Sequence, residues 1–315
     1  MCQKIPWPSK GPITNAVLKE GNPYALGTFA EVRSRRNCPF CRLVVSSEVD
    51  VPGPPRQTND AEEVLVRWDE SRGFRVDGTI TPQGTRVCFA QKQDSRHSHL
   101  NHARVVHGTS ISISKVENWL CFCQKNHGDV CSRPPSPGRR KGSSSTIPVR
   151  VIDVNRQCIV IVEGNCRYLT LSYVWGQVTP LRLVKQNRES LMASNGLEMV
   201  RKHIPRTITD AMDLVSMLGE RYLWVDTLCL IQDNEKDVID GIQTMDQVYE
   251  GALVTIIAGS GLDASSGLPG VQPNSRNSKQ LVENIEPGVK MTVVHELDDY
   301  MKHSRYDTRA WMYVF

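Results

Sequence analysis

Five Cys and His side chains stand at spacings typical of a zinc site. Cys38 and Cys41 form a C-x2-C pair, and Cys123, His127 and Cys131 follow one another at intervals of four residues. Zinc in structural sites takes four sulfur and imidazole ligands in a tetrahedron. We therefore predict zinc bound by Cys38, Cys41, His127 and Cys131, with Cys123 as an alternative ligand. The other interpretation is two unrelated groups of reduced thiols, because the two groups lie far apart in the chain.

A second set of residues could form a binding crevice, because polar and aromatic side chains follow two apolar runs of strand length. The candidate crevice residues are Ser172, Tyr173, Trp175, Gly176, Asp226, Cys229, Gln232 and Asp233. Ligands of open α/β sheets bind outside the carboxyl ends of the strands, where a carboxylate, a thiol, an amide and an indole would meet. The alternative is structural: Trp175 would fill the core, Asp226 would cap a loop and Cys229 would be a small buried hydrophobe.

The candidate crevice residues lie within a stretch of alternating strand and helix patterns, and these elements would position them. Residues 168–174, 222–228 and 252–258 are apolar runs of strand length, and residues 207–218 repeat apolar side chains with the helical period. Such alternation predicts an α/β fold, with a parallel sheet flanked by helices. The weaker signals nearer the start of the chain predict a smaller, Cys-containing α+β region.

A segment rich in Pro, Ser and Arg divides the chain. Residues 132–150 contain no acidic residue and too few apolar ones to build a core, which predicts a flexible linker. We expect residues 1–131 to form a regulatory or sensing region and residues 151–315 to form a second domain.

Composition excludes several classes of function. The 315 residues include 38 Lys and Arg against 34 Asp and Glu, and this net charge of +4 is too balanced to demand a nucleic-acid partner. The sequence has no apolar run of about 18 residues, as a transmembrane helix would need, and its start lacks the apolar core of a secretory signal. We therefore expect a cytoplasmic protein with neither nucleic acid nor membrane as a partner, whose ten cysteines are reduced or bind metal.

Several motifs occur in the order and at the separations of the fungal heterokaryon incompatibility (HET) domain. They are residues 168–176 (YLTLSYVWG), 204–211 (IPRTITDA), 221–233 (RYLWVDTLCLIQD), 267–270 (GLPG) and 309–311 (RAW). The chain resembles this family over about residues 168–315. The resemblance implies a fold similar to Toll/interleukin-receptor (TIR) domains, which are flavodoxin-like. It also implies non-self recognition that ends in growth arrest or programmed cell death, with protein partners of the incompatibility pathway and self-association as a further option.

Two other functional interpretations follow from the same resemblance. TIR-like relatives imply NAD as a candidate substrate, and cleaving nicotinamide from ribose requires a carboxylate beside an oxocarbenium-like state. Asp226 would be the catalytic candidate, with Trp175 or Tyr173 stacking on a flat ring. The family usually continues Arg-x-Trp with Gln-Glu, whereas Trp311 is followed here by Met-Tyr-Val-Phe. We therefore expect a C-terminally truncated domain, and an inert fragment is the third interpretation.

Overall fold

The structure is a computed structural model of the chain. It describes residues 5, 18–47, 59–69, 72–77, 84–90, 102–103, 105–106, 108–128, 131, 149–162, 166–276, 280–302 and 304–308. Most of the expected linker and the Arg309–Trp311 motif therefore lie outside the described residues. The division of the chain at residues 132–150 stays a prediction, since only Val149 and Arg150 of that segment are described.

The described residues form short helices and two groups of strands. The strands are β1 (Pro23–Thr28), β2 (Glu63–Asp69), β3 (Gly73–Asp77), β4 (Arg86–Ala90), β5 (His102–Ala103), β6 (Val149–Asp153), β7 (Cys158–Val162), β8 (Tyr168–Ser172), β9 (Tyr222–Trp224), β10 (Thr255–Ile257), β11 (Val282–Glu286) and β12 (Val289–Val294). The helices are α1 (Phe29–Ser34), α2 (Pro39–Ser46), α3 (Ile113–Asn126), α4 (Arg188–Met192), α5 (Gly196–Met199), α6 (Arg206–Met217), α7 (Asp226–Cys229), α8 (Glu235–Gln243), α9 (Met245–Glu250) and α10 (Leu297–Met301), with a 3-10 turn at Arg201–His203. They divide between two compact units, residues 1–107 with 278–304 and residues 108–277 with 305–315.

The first unit is built on an antiparallel sheet in the order β1-β2-β3-β4-β12-β11, with β5 in a short parallel pairing beside β4. Every neighbouring pair along that path is antiparallel. Its core holds Trp68 against Phe74, with ring centroids 5.0 Å apart, and Phe40 of α2 meets Phe74 edge-on at 5.1 Å. Strands β11 and β12 thus belong to the same sheet as β1–β4.

The second unit contains a mixed sheet in the order β10-β8-β9-β6-β7. Only β10, β8 and β9 run parallel to one another, while β6 is antiparallel to both β9 and β7. The expected parallel sheet flanked by helices, and with it the TIR-like fold, is therefore wrong. The alternating pattern of residues 168–258 locates three strands, each shorter than expected, but it carries no information about how other strands pair with them.

A tight turn explains why the sheet becomes antiparallel. Residues 154–157 connect β6 directly to β7, so the chain must reverse its direction. The Asp153 carboxylate accepts hydrogen bonds from the N–H groups of Asn155 and Arg156, and Gln157 closes the turn with φ of 49°. Arg221, just before β9, also donates to Asp153 at 2.8 Å. These bonds stabilise the antiparallel neighbours of β6.

Helix α6 lies close to its expected position, because an apolar stripe drives it into the core. It spans Arg206–Met217 against the expected residues 207–218, and Ile208, Ala211, Met212 and Val215 are buried. The expected strand at residues 222–228 is shorter: β9 ends at Trp224, and the one-turn helix α7 begins at Asp226.

Candidate functional site

The candidate crevice residues lie at the carboxyl ends of three parallel strands. β8 lies between β9 and β10, so the segments that leave these strands emerge at one edge of the sheet. All five residues of β8 are buried, as is Tyr173 directly after it, and the first partly exposed side chain is that of Val174. The sheet thereby places residues 173–176, 225–229 and 258–264 beside one another.

Trp175 and Asp226 make the central contact of this edge. The indole Nε1 of Trp175 donates a hydrogen bond of 3.0 Å to Oδ2 of Asp226, and Oδ1 of Asp226 accepts one of 2.7 Å from the N–H of Thr227. The exposed guanidinium of Arg182 lies 5.2 Å from the centroid of the Trp175 ring, within the range of a cation–π contact. Both Trp175 and Asp226 are partly buried. Together they form a polar and aromatic surface at the end of β8 and β9.

Ser172 and Tyr173 lie beneath that surface and bond inward. The Tyr173 side chain is 1% exposed, and its hydroxyl lies 3.0 Å from Oγ1 of Thr227. The Ser172 hydroxyl lies 2.6 Å from the Tyr306 hydroxyl. Tyr173 therefore supports the segments after β8 and β9 from below, and its ring is not available to stack on a ligand.

Gly176 is required where the segment after β8 meets the segment after β10. Its φ is +68°, and a Cβ added to it would lie 2.3 Å from Cβ of Asp263. The N–H of Ala264 donates to the Trp175 carbonyl at 3.4 Å. Hydrogen bonds from the hydroxyl and the N–H of Ser265 lower the pKa of Asp263. A second carboxylate, ionised at neutral pH, thus lies next to the Trp175–Gly176 segment.

Cys229 is a buried residue of α7. Burial raises the pKa of its thiol to about 12, and its sulfur accepts a hydrogen bond of 3.3 Å from the N–H of Val225. Its carbonyl accepts a bond of 2.8 Å from Nε of Arg150, whose guanidinium also pairs with Asp237. A neutral, inaccessible thiol cannot act as a nucleophile, which matches the structural alternative for this residue.

Gln232 and Asp233 hold the segment that follows α7. The Gln232 amide donates to the carbonyls of Asp226 and Leu230, at 3.0 and 3.1 Å. The Asp233 carboxylate accepts a bond of 2.9 Å from the N–H of Lys185. Both side chains thus bind backbone groups and fix the shape of the loops around the crevice.

Sequence reasoning missed the polar contacts that hold the 267–270 turn. Asp210 of α6 is 1% exposed, and it accepts hydrogen bonds from the N–H of Leu268 at 2.8 Å and from the Gln272 amide at 3.0 Å. Thr207 accepts one of 3.0 Å from the N–H of Gly267, whose φ is +79°. The available signal was a carboxylate inside the recognised motif of residues 204–211. Its contacts join the second and fourth of the recognised motifs.

The structure brings together three of the five candidate zinc ligands. The ligand atoms of Cys123, His127 and Cys131 all lie within 4.8 Å of one another. Cys38 instead precedes α2, where its sulfur accepts a bond of 3.5 Å from the N–H of Cys41, and the Cys41 side chain is fully buried in the core of the first unit. A role of Cys38 and Cys41 as zinc ligands stays a prediction.

A cavity that sequence reasoning did not anticipate lies beside α4. Its volume is about 810 Å³. The lining residues are Lys185, Arg188, Glu189, Met192, Ala193, Ile231 and Asn234. Two of them are basic and one is acidic, and none belongs to the candidate crevice.

Residues 168–314 match the model of the heterokaryon incompatibility protein (HET) family. The resemblance drawn from the motifs is thereby confirmed over this segment. No curated protein matches the chain, and no solved structure matches it. Among the described residues, no helix is both long enough and apolar enough to cross a membrane.

Proposed function

We propose that this HET-domain chain is a cytoplasmic signalling protein of fungal heterokaryon incompatibility, in which non-self recognition leads to growth arrest or programmed cell death. The family match over residues 168–314 carries the proposal. The mutual packing of the motifs supports it: residues 168–176 and 221–233 meet through Trp175 and Asp226, and residues 204–211 bind the 267–270 turn through Asp210.

The surface at the carboxyl ends of β8 and β9 is suited to binding another protein. Trp and Arg are enriched among the residues that dominate the binding energy of interfaces. Here Arg182 lies over the Trp175 ring, and Trp175 is held in place by Asp226. A side chain ordered before binding loses less conformational entropy on association. We therefore assign recognition of a protein partner to the surface formed by Trp175, Arg182 and Asp226.

The contacts of Asp226 favour binding over cleavage of NAD. A carboxylate that stabilises an oxocarbenium-like state must face the sugar carbon. Both carboxylate oxygens of Asp226 accept hydrogen bonds within the protein, from Trp175 and from Thr227. The TIR-like sheet from which NAD was inferred is also absent from the described residues. Turnover of NAD is therefore an outcome that would contradict the binding assignment.

Induced expression of the full chain in a fungal host tests the proposal. We expect growth arrest or cell death with the unmutated chain and a weaker response with Arg182→Ala, which removes an exposed side chain and leaves the core intact. Arg188→Ala is the matched control, because Arg188 is an exposed arginine of the same unit that lies outside the surface. Soluble, folded protein that leaves growth unchanged would contradict the proposal. Loss of cellular NAD that Asp226→Asn abolishes would support the enzymatic interpretation instead.

A further inference from the structure

The C-terminal end of α3 presents two thiols and one imidazole to a common point. Cys123 lies in the last turn, His127 follows the helix directly, and Gly128, with φ of +57°, turns the chain so that Cys131 returns to the same side. Successive positions four residues apart lie on one face of a helix. Cys123 and His127 therefore share a face by helical geometry, and the turn at Gly128 adds Cys131.

Two of the three distances between these ligand atoms are close to those of a tetrahedral zinc site. Nδ1 of His127 lies 3.2 Å from Sγ of Cys123 and 3.6 Å from Sγ of Cys131. Zinc bonds of about 2.3 Å to sulfur and about 2.0 Å to nitrogen, at tetrahedral angles, place neighbouring sulfur and nitrogen ligands about 3.5 Å apart. The three ligand atoms therefore lie close enough together for one metal ion to contact all of them.

Helix α3 packs against the core of the second unit through Ile113 at its start, and its later turns have little packing of their own. None of its residues is buried, and Trp119 and Phe122 are 57% and 63% exposed. A helix of this length is marginal in water unless other contacts hold it. A metal that joins its last turn to the following residues would fix its C-terminal end.

We propose that Cys123, His127 and Cys131 bind one Zn²⁺, with the fourth position taken by water or by a ligand other than Cys38 and Cys41. Thiolate and imidazole are the ligands that zinc prefers, and three protein ligands leave one tetrahedral position free. The set differs from the one that spacing favoured, because Cys38 caps a helix and Cys41 is buried in an apolar core. The site is independent of the proposed signalling function.

Metal analysis of the full chain, purified under reducing conditions and desalted after incubation with zinc, tests this site. We expect about one zinc per chain, and loss of that zinc in the Cys123→Ser/Cys131→Ser variant. Cys121→Ser is the matched control, since Cys121 is an exposed cysteine of the same helix outside the cluster. Cys38→Ser should also retain the metal, which separates the three-ligand site from the set that includes Cys38 and Cys41.

Cobalt substitution and hydrogen exchange add readouts in the unmutated chain, where the stability of a variant plays no part. In the unmutated chain, Co²⁺ should give thiolate-to-cobalt charge-transfer bands and tetrahedral d–d bands, and His127→Asn should alter the d–d bands. Zinc should slow amide exchange in residues 113–126. Three outcomes would overturn the site: zinc well below one per chain together with no cobalt bands, zinc lost with Cys38→Ser, or a Cys123–Cys131 disulfide that persists under reducing conditions.

Discussion

The indole of Trp175 and the carboxylate of Asp226 are joined by a hydrogen bond of 3.0 Å across the ends of two adjacent parallel strands. Trp175 follows β8 and Asp226 follows β9, so the bond fixes the distance between two segments that the sheet alone leaves free. Because the acceptor is a carboxylate, the bond is stronger than one between neutral groups. Loss of this bond should therefore weaken the contact between the two segments.

Removal of either partner should destabilise the fold modestly. Trp175→Phe removes the donor and keeps an aromatic ring, and Asp226→Asn removes the charge. We expect each to lower the free energy of unfolding by about 1 kcal/mol, because the bond is partly exposed. Urea denaturation measures the effect, with Asp240→Asn on exposed α8 as the control. The double variant should lose less than the sum of the single losses; strict additivity would show that the two side chains are not coupled.

Gly176→Ala should lower the free energy of unfolding more than Gly219→Ala does. The two glycines have nearly identical φ values of +68° and +69°, but a Cβ at Gly176 would lie 2.3 Å from Cβ of Asp263, while nothing lies within 4 Å of one at Gly219. Gly219→Ala should cost about 1–2 kcal/mol for the left-handed backbone alone. Thermal or urea unfolding should show a larger loss of stability for Gly176→Ala than for Gly219→Ala. Equal losses would mean that the segment carrying Asp263 moves away freely.

Folding stability should depend on pH through Asp153. Burial raises the pKa of this carboxyl, but hydrogen bonds from Arg221, Arg156 and Asn155 and the charge of Arg221 outweigh burial and hold the pKa below its usual value. A lowered folded pKa gives stability that is present above the unfolded pKa of about 3.9 and is lost as the pH falls through the folded value.

Replacing Arg221, the cation that pairs with Asp153, tests this direction of the pH dependence. Arg221→Gln should be less stable than the unmutated chain near neutral pH, and the two should converge as the pH falls below about 4. Urea denaturation across this pH range provides the comparison. Asp153→Asn is the control, since it removes the titrating group and should flatten the same part of the profile. A difference that stays constant into strong acid would assign the effect of Arg221 to packing.

Alkylation should separate Cys229 from the exposed thiols. Burial raises the pKa of Cys229 to about 12, whereas Cys121 is exposed on α3. Only the thiolate reacts, so iodoacetamide at about pH 8 should modify Cys121 in the folded chain and leave Cys229 unmodified. Mass spectrometry of the digested protein reads both sites, and unfolding in urea should make Cys229 reactive. Rapid labelling of Cys229 in the folded chain would show that α7 opens.

Features that depend on local pattern can be predicted from the sequence alone. The apolar stripe of residues 207–218 predicts α6 to within one residue at each end, because helical period is visible in any amphipathic segment. The motifs of residues 168–270 identify the HET resemblance, and their position at strand ends places Trp175 and Asp226 in the candidate crevice before any coordinates are known.

Contacts between distant segments are visible only in the folded chain. Strand patterns do not specify partners, so neither the antiparallel place of β6 nor the pairing of β12 with β4 could be derived from periodicity. The same holds for the thiols: C-x2-C spacing suggests a ligand pair, but packing buries Cys41 in an apolar core. Cys123, His127 and Cys131 come together because a helix and one turn place them there. Side-chain chemistry can thus be inferred locally, whereas burial and long-range pairing depend on how the whole chain packs.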